Sequence, residues 1–138
     1  MNGYAYINNQ GYILEVSQEK LDLPVIQGIK TSEEKIVAGN RLEKEDLEKL
    51  ETAITITKIW KNNEIEQKIT SIDITNKLEY TLYVEEEKQK IYLGDESNLN
   101  NKILWAQAIM KDNKGIEGEI YVNGELNDKF KPRFKQKV

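Results

Sequence analysis

The side chains of this chain that could do chemistry are mostly carboxylates. Its 138 residues include 24 Asp and Glu but no His and no Cys. The absence of His and Cys excludes thiol chemistry, imidazole catalysis and ordinary zinc sites. A glycosidase-type carboxylate pair stays open, although most acids lie in runs such as Glu33-Glu34 and Glu85-Glu86-Glu87, which are typical of solvated turns and helix faces. We therefore predict that the protein is not an enzyme and binds no cofactor or metal.

The basic residues are concentrated near the C-terminal end of an otherwise acidic chain. The net charge is -4 and only two of the 20 basic residues are Arg, so we expect no nucleic-acid binding. Two interpretations of residues 129–138 stay open: a solvated, flexible tail, or an edge strand whose apolar and cationic faces meet an acidic partner. Cationic and apolar side chains alternate here: Lys129, Lys131, Arg133, Lys135 and Lys137 against Phe130, Pro132 and Phe134.

Hydrophobic periodicity predicts the elements of the first half. Residues 4–7 and 12–16, joined by an Asn- and Gly-containing turn, predict a hairpin. The apolar run 23–29 contains Pro24, so it belongs at a sheet edge or in a connection. Helical spacing of Leu47, Leu50 and Ile54 predicts a helix over 43–61. Its second half, 54–60, is rich in β-branched residues, so a strand remains an alternative for this segment.

The second half is predicted to alternate between strands and one helix. Residues 69–74, 80–84 and 91–93 predict an antiparallel meander. A second helix over 98–111 has Ser97 as its N-cap and is followed by a left-handed Gly115. The last strands are predicted at 116–122 and 126–134, with a bulge at Gly118. The whole chain then forms a single α+β domain with a mostly antiparallel sheet and two helices.

Four short motifs follow one another in a characteristic order. They are the hairpin at 6–14, the Leu-Pro-x-x-x-Gly segment at 23–28, Tyr92-Leu93-Gly94 and Gly115-Ile116. This order resembles the extracytoplasmic β-domain of the bacterial cell-division family FtsQ/DivIB, over essentially the whole chain. The first strand starts almost at Met1, and no segment has the roughly 18 apolar residues that span a bilayer. We therefore expect a domain excised from a longer chain, whose cytoplasmic tail, transmembrane helix and POTRA domain the resemblance implies.

The resemblance also implies a non-enzymatic divisome scaffold on the extracytoplasmic face of the cell membrane at the division septum. The implied partners are proteins of the FtsL and DivIC/FtsB types, together with a septal penicillin-binding protein. A partner segment would add as a strand beside the last strands, at 117–122 and 126–134. Relatives usually carry an Ile-Asp-Leu-Arg-like stretch where this chain has residues 117–121 and no Arg. The side chains implied in partner binding are Glu119, Ile120, Tyr121, Val122, Leu126, Phe130, Lys131, Arg133 and Phe134.

An alternative function stays open beside the divisome scaffold. A cell-wall-associated binding module or degenerate hydrolase would contact an anionic wall polymer through the Lys-rich segment 129–138. Such binding would be strongly salt-dependent, because exposed charges are screened. An unrelated secreted lipoprotein domain of the α+β class is a third interpretation.

Overall fold

A mixed β-sheet with two packed helices forms the centre of the protein. The structure is a computed structural model that describes residues 3–124 and 129–138. A short 3-10 helix, Glu33–Lys35, precedes the first α-helix. In chain order the main elements are β1 (Tyr4–Ile7), β2 (Ile13–Ser17), β3 (Val25–Gln27), α1 (Lys44–Asn62), β4 (Ser71–Asp73), β5 (Tyr80–Val84), β6 (Gln89–Gly94), α2 (Leu99–Asp112), β7 (Gly118–Tyr121) and β8 (Arg133–Gln136).

The central sheet has the strand order β3-β4-β5-β6-β7-β8, and β1 and β2 form a separate hairpin. The predicted meander is confirmed as β4, β5 and β6, which are antiparallel neighbours. β3 pairs parallel with β4, and β6 pairs parallel with β7. Each parallel pair is separated in the chain by one of the helices, because parallel neighbours need a long crossover. The α+β class, with most strand pairs antiparallel, is confirmed.

Both helices share one core with one face of the sheet. Ile56 and Trp60 of α1 and Ile103 of α2 are buried in the same cluster as Ile91 and Ile120 of the strands. This burial explains why residues 54–60 are helical despite their β-branched side chains, since packing of an amphipathic face outweighs local propensity. The opposite face of the sheet carries mainly polar, aromatic and charged side chains.

The N-terminal hairpin packs on another side of α1. Ile13, Leu42 and Leu50 form the centre of this second, smaller cluster. The carboxylate of Asp46, which is fully buried, accepts hydrogen bonds from the amides of Lys30 and Thr31 at 2.9 Å and 2.7 Å. This carboxylate therefore ties the first turn of α1 to the segment that follows β3.

Three local predictions are corrected by the structure. The N-cap of α2 is Asn98 rather than Ser97, whose amide and hydroxyl both donate to the Asp95 carboxylate. β7 and β8 pair without a register shift, so Gly118 is not a bulge. The last strand begins at Arg133, later than predicted, and Pro132 lies directly before it, in keeping with the confinement of proline to the ends and edges of sheets. The predicted strand residues 126–128 lie outside the described residues.

The structure also places Gly115 in the left-handed conformation expected after α2, with φ of 75°. Among residues 3–124 and 129–138, neither helix is apolar and long enough to cross a membrane.

Candidate functional site at the outer edge of the sheet

The predicted partner-binding residues come together around β7 and β8. Glu119, Ile120 and Tyr121 lie in β7, and Val122 follows it directly. Arg133 and Phe134 lie in β8, and Phe130 and Lys131 precede that strand. Leu126 lies outside the described residues.

β7 is an interior strand whose main chain is paired on both sides. On one side, the amide of Val122 donates to the carbonyl of Tyr92 in β6 at 3.1 Å. On the other side, the amide of Lys137 donates to the carbonyl of Glu117 at 2.9 Å. A further strand therefore cannot pair with β7, which offers a partner only side chains. The free strand edge at this end of the described sheet belongs to β8.

The hydrogen-bonding groups on the free edge of β8 follow from the register. Pairs of residues in an antiparallel ladder alternate between bonded and non-bonded, and Lys137 is bonded to β7. The odd-numbered residues of β8 thus face β7. The amide and carbonyl groups of Phe134 and Gln136 point outward, while Pro132 adds an outward carbonyl without a donor. These groups are the acceptors and donors that an added strand would use.

An apolar shelf lies beneath this edge, on the helix side of the sheet. Phe134 sits opposite the fully buried Ile120 and packs against the main core. The ring of Phe130 meets Trp105 of α2 edge to face, with 6.2 Å between centroids. Gly124 makes room for Phe130, since a side chain there would collide with the ring. The shelf, defined by Phe130, Phe134 and Trp105, can receive apolar side chains of an added strand.

Two stacked tyrosines and two cations line the open face of the same strands. The rings of Tyr92 and Tyr121 stack with centroids 4.8 Å apart and planes 3° from parallel. The Arg133 guanidinium lies 4.4 Å from the centroid of Tyr121, and the Lys90 ammonium lies 4.9 Å from that of Tyr92. Such cation–π contacts hold the cations in place while leaving them near solvent.

The Glu119 carboxylate accepts a hydrogen bond from each of the two tyrosines. The Tyr92 hydroxyl donates to Glu119 Oε2 at 2.6 Å, and the Tyr121 hydroxyl donates to Oε1 at 3.0 Å. The hydrogen bond from Tyr92 is the main cause that lowers the pKa of Glu119, and it also raises the pKa of Tyr92. Burial, followed by Glu119, raises the pKa of Tyr121. The three groups thus form one hydrogen-bonded cluster on the open face, in which two hydroxyl donors hold the Glu119 carboxylate.

The other edge of the sheet, at β3, is shorter. Gln27 accepts a hydrogen bond from the amide of Ile74 at 2.9 Å and so faces β4. By alternation, Ile26 alone in β3 points its main-chain groups outward, and the preceding Pro24 has no donor to add. A cavity of 460 Å³ separates this edge from β1.

No group of His, Cys, Asp or Glu within the described ranges is arranged to hold a metal ion. A polar cavity of 620 Å³ borders Lys49, Thr52, Tyr80 and Glu96. The buried ammonium of Lys49 is already held by the carbonyl of Thr75 at 3.2 Å.

Comparison with known proteins gives one match. Residues 1–119 match the model of the family described as FtsQ/DivIB, C-terminal related. No curated protein and no solved structure matches the chain significantly. The matched range runs from the hairpin into β7 and ends before Ile120 and β8. Since the model covers well over half of the chain, the protein belongs to the FtsQ/DivIB, C-terminal related family, which points to a role in cell division.

Proposed function

We propose that this chain acts as a single, non-enzymatic scaffold domain in bacterial cell division and captures a partner strand along β8. The observation that carries the proposal is the outward orientation of the main-chain groups of Phe134 and Gln136 beside an apolar shelf. The site of action would be the extracytoplasmic face of the membrane at the septum. The proposed partners are division proteins of the DivIC/FtsB and FtsL types and a septal penicillin-binding protein.

Strand addition divides affinity and selectivity between different groups. The main-chain groups of β8 supply hydrogen bonds to any extended segment, and the alternating side chains select among segments. On the helix side the selecting groups are Phe130 and Phe134, and on the open face they are Tyr121, Arg133 and Glu119. Because a flexible segment must become ordered on binding, we expect modest affinity.

A proline at Gln136 tests the proposal directly. The amide of Gln136 points outward and makes no hydrogen bond to β7. An edge strand tolerates proline where the replaced amide faces solvent. We expect Gln136→Pro to weaken binding of a blocked, extended peptide from a DivIC/FtsB-type protein by about tenfold or more, since it removes a donor and places a ring in the partner's path. Titration calorimetry measures the affinity, and an amide NMR spectrum confirms the fold.

Gln136→Ala is the matched control, because it removes the same side chain but keeps the amide. We expect this variant to bind nearly as well as the unchanged protein. Equal binding by the proline variant, with its fold intact, would show that β8 does not receive the strand. A proline at Tyr121 is a poorer test, since the odd-numbered amides of β7 face β8 and their loss would disturb the fold itself.

A second candidate function is binding to an anionic wall polymer. Arg133 and Lys135 are exposed on the open face of β8, which favours contact with anions. Truncation is unsuitable as a test because β8 is part of the sheet. Sedimentation with purified cell wall, at low and high salt, should instead compare the unchanged protein with a Lys131→Gln and Lys135→Gln double variant. Salt-sensitive sedimentation that the double variant loses would favour this candidate.

A further inference from the structure

We infer that the cationic row of β8 selects a partner strand with alternating carboxylates and rejects a second copy of this chain. The cationic row is defined here as the side chains of Arg133, Lys135 and Lys137. The inference rests on the strand-addition function proposed above and specifies the chemistry of the strand that is added.

The cationic row occupies one face of the outermost strand without an interleaved acid. Side chains alternate between faces along a strand, so Phe134 and Gln136 lie on the helix side and the odd-numbered residues on the open face. Lys137 is 3.1 Å from the Glu117 carboxylate, and Lys135 lies opposite Glu119. Both acids belong to the β7 side, one strand inward. The side that an incoming strand meets first is therefore cationic.

Pairing with a second copy of β8 would place like charges opposite one another. In a two-fold, antiparallel pairing of two β8 edges, the outward-facing groups must bond to each other, so even-numbered residues pair with even-numbered residues. The odd-numbered residues then lie directly opposite one another. Registers centred on residues 132 to 135 place both Arg133 and Lys135 against cations of the other copy. Like charges in opposite cross-strand positions are destabilising. The edge is thus protected from pairing with itself in the way that cationic edge strands commonly are.

A strand of another protein is favoured when the same positions carry carboxylates. Its residues opposite Arg133 and Lys135 would form cross-strand pairs of opposite charge, and its alternate residues would lie over the apolar shelf. The Glu119 carboxylate repels such a strand little. Glu119 lies in β7, one strand further from the partner, and its oxygens accept hydrogen bonds from two tyrosine hydroxyls. The chain as a whole has a net charge of -4, so this edge is a local exception that can steer an acidic segment.

Peptide binding separates the charge selection from the strand addition. Three blocked peptides of equal length alternate Val with Glu, Ser or Lys and are titrated into the unchanged protein and the Gln136→Pro variant. We expect the Glu peptide to bind about tenfold more tightly than the Ser peptide, and the Lys peptide to bind most weakly. Equal affinity of the Glu and Ser peptides would overturn the charge selection while leaving strand addition intact. If Gln136→Pro weakens none of them, strand addition itself fails.

A charge reversal on β8 tests whether the cationic row prevents two copies of the protein from pairing. Removing the repulsion should strengthen dimerisation. In a pairing centred on Phe134, Arg133→Glu places a carboxylate opposite Lys135 of the other copy, twice per dimer. We expect this variant to dimerise at least about tenfold more tightly than the unchanged protein in sedimentation equilibrium. Adding Gln136→Pro should return it to a monomer.

Lys58→Glu is the control, since it makes the same change in net charge at an exposed position of α1. This variant should associate no more than the unchanged protein. If Arg133→Glu stays as monomeric as the control, or if the unchanged protein already dimerises in a way that Gln136→Pro abolishes, the cationic row does not reject a second copy.

Discussion

Gly118 is the residue on which the placement of β8 most depends. A Cβ atom at this position would lie 2.6 Å from Cζ of Phe134 and nearer still to the carbonyl oxygen of Lys135. Real Cβ contacts essentially never fall below 3.0 Å, so something must move. The Phe134 ring is held by the core, and the carbonyl belongs to the β8 backbone. Gly118→Ala therefore has to push β8 away from β7.

The expected cost of Gly118→Ala is that of overpacking a well-packed site, about 1–3 kcal/mol in the free energy of unfolding. Urea denaturation measures this loss, and hydrogen exchange should locate it at the amides of Arg133, Lys135 and Lys137, which face β7. Gly115→Ala is the control: no atom lies within 4 Å of its Cβ position, but its φ of 75° strains any side chain. It should destabilise the protein without selectively exposing β8. Unchanged exchange at β8 in Gly118→Ala would refute the close-approach reasoning.

Further predictions concern side chains behind the edge. Tyr92→Phe removes the hydrogen bond that most lowers the pKa of Glu119, so an NMR titration should show that pKa rising; an unchanged value would contradict the assigned bond. In the unchanged protein this bond contributes fully above the ordinary Glu pKa of 4.5 and below the ordinary Tyr pKa of 10.0. Denaturation at varied pH should show the contribution fading as pH falls through the lowered pKa or rises through the raised one. Asp46→Ala leaves the Thr31 amide without its acceptor and should cost about 1–3 kcal/mol in urea denaturation, whereas a neutral effect would mean that water replaces the carboxylate. Ile120→Ala, at a fully buried position, should lower the free energy of unfolding by about 2–5 kcal/mol in the same assay. A smaller loss would indicate that neighbouring side chains move in to fill the cavity.

Most elements of this fold could be predicted from local patterns. The spacing of Leu47, Leu50 and Ile54 predicted α1 within a residue or two of its ends, and alternation of apolar residues predicted β4 to β6. These patterns are informative because one face of each element is buried and the other is solvated. The N-terminal hairpin was likewise visible in its turn residues.

Features that depend on contacts between distant segments were not predictable in this way. Nothing local shows that β7 would pair parallel with β6, or that its main chain would be enclosed by β8. The hydrogen bonds from Tyr92 and Tyr121 to Glu119 likewise join residues of two strands, and they become apparent only once the register is known. The family resemblance pointed to the β7–β8 end of the sheet, but the register was needed to decide which of these strands has a free edge.

β8 is held in the sheet through a pairing between segments that are far apart in the chain. Among the residues that the structure describes, β8 pairs with β7 alone, and β7 reaches β6 after the chain has crossed over through α2. The β6–β7 pair joins segments that the whole of α2 separates in the chain, and closing such a loop costs conformational entropy. The β8 edge that we propose as a docking site therefore exists only where β7 has paired with β6, so its availability depends on a contact between distant segments.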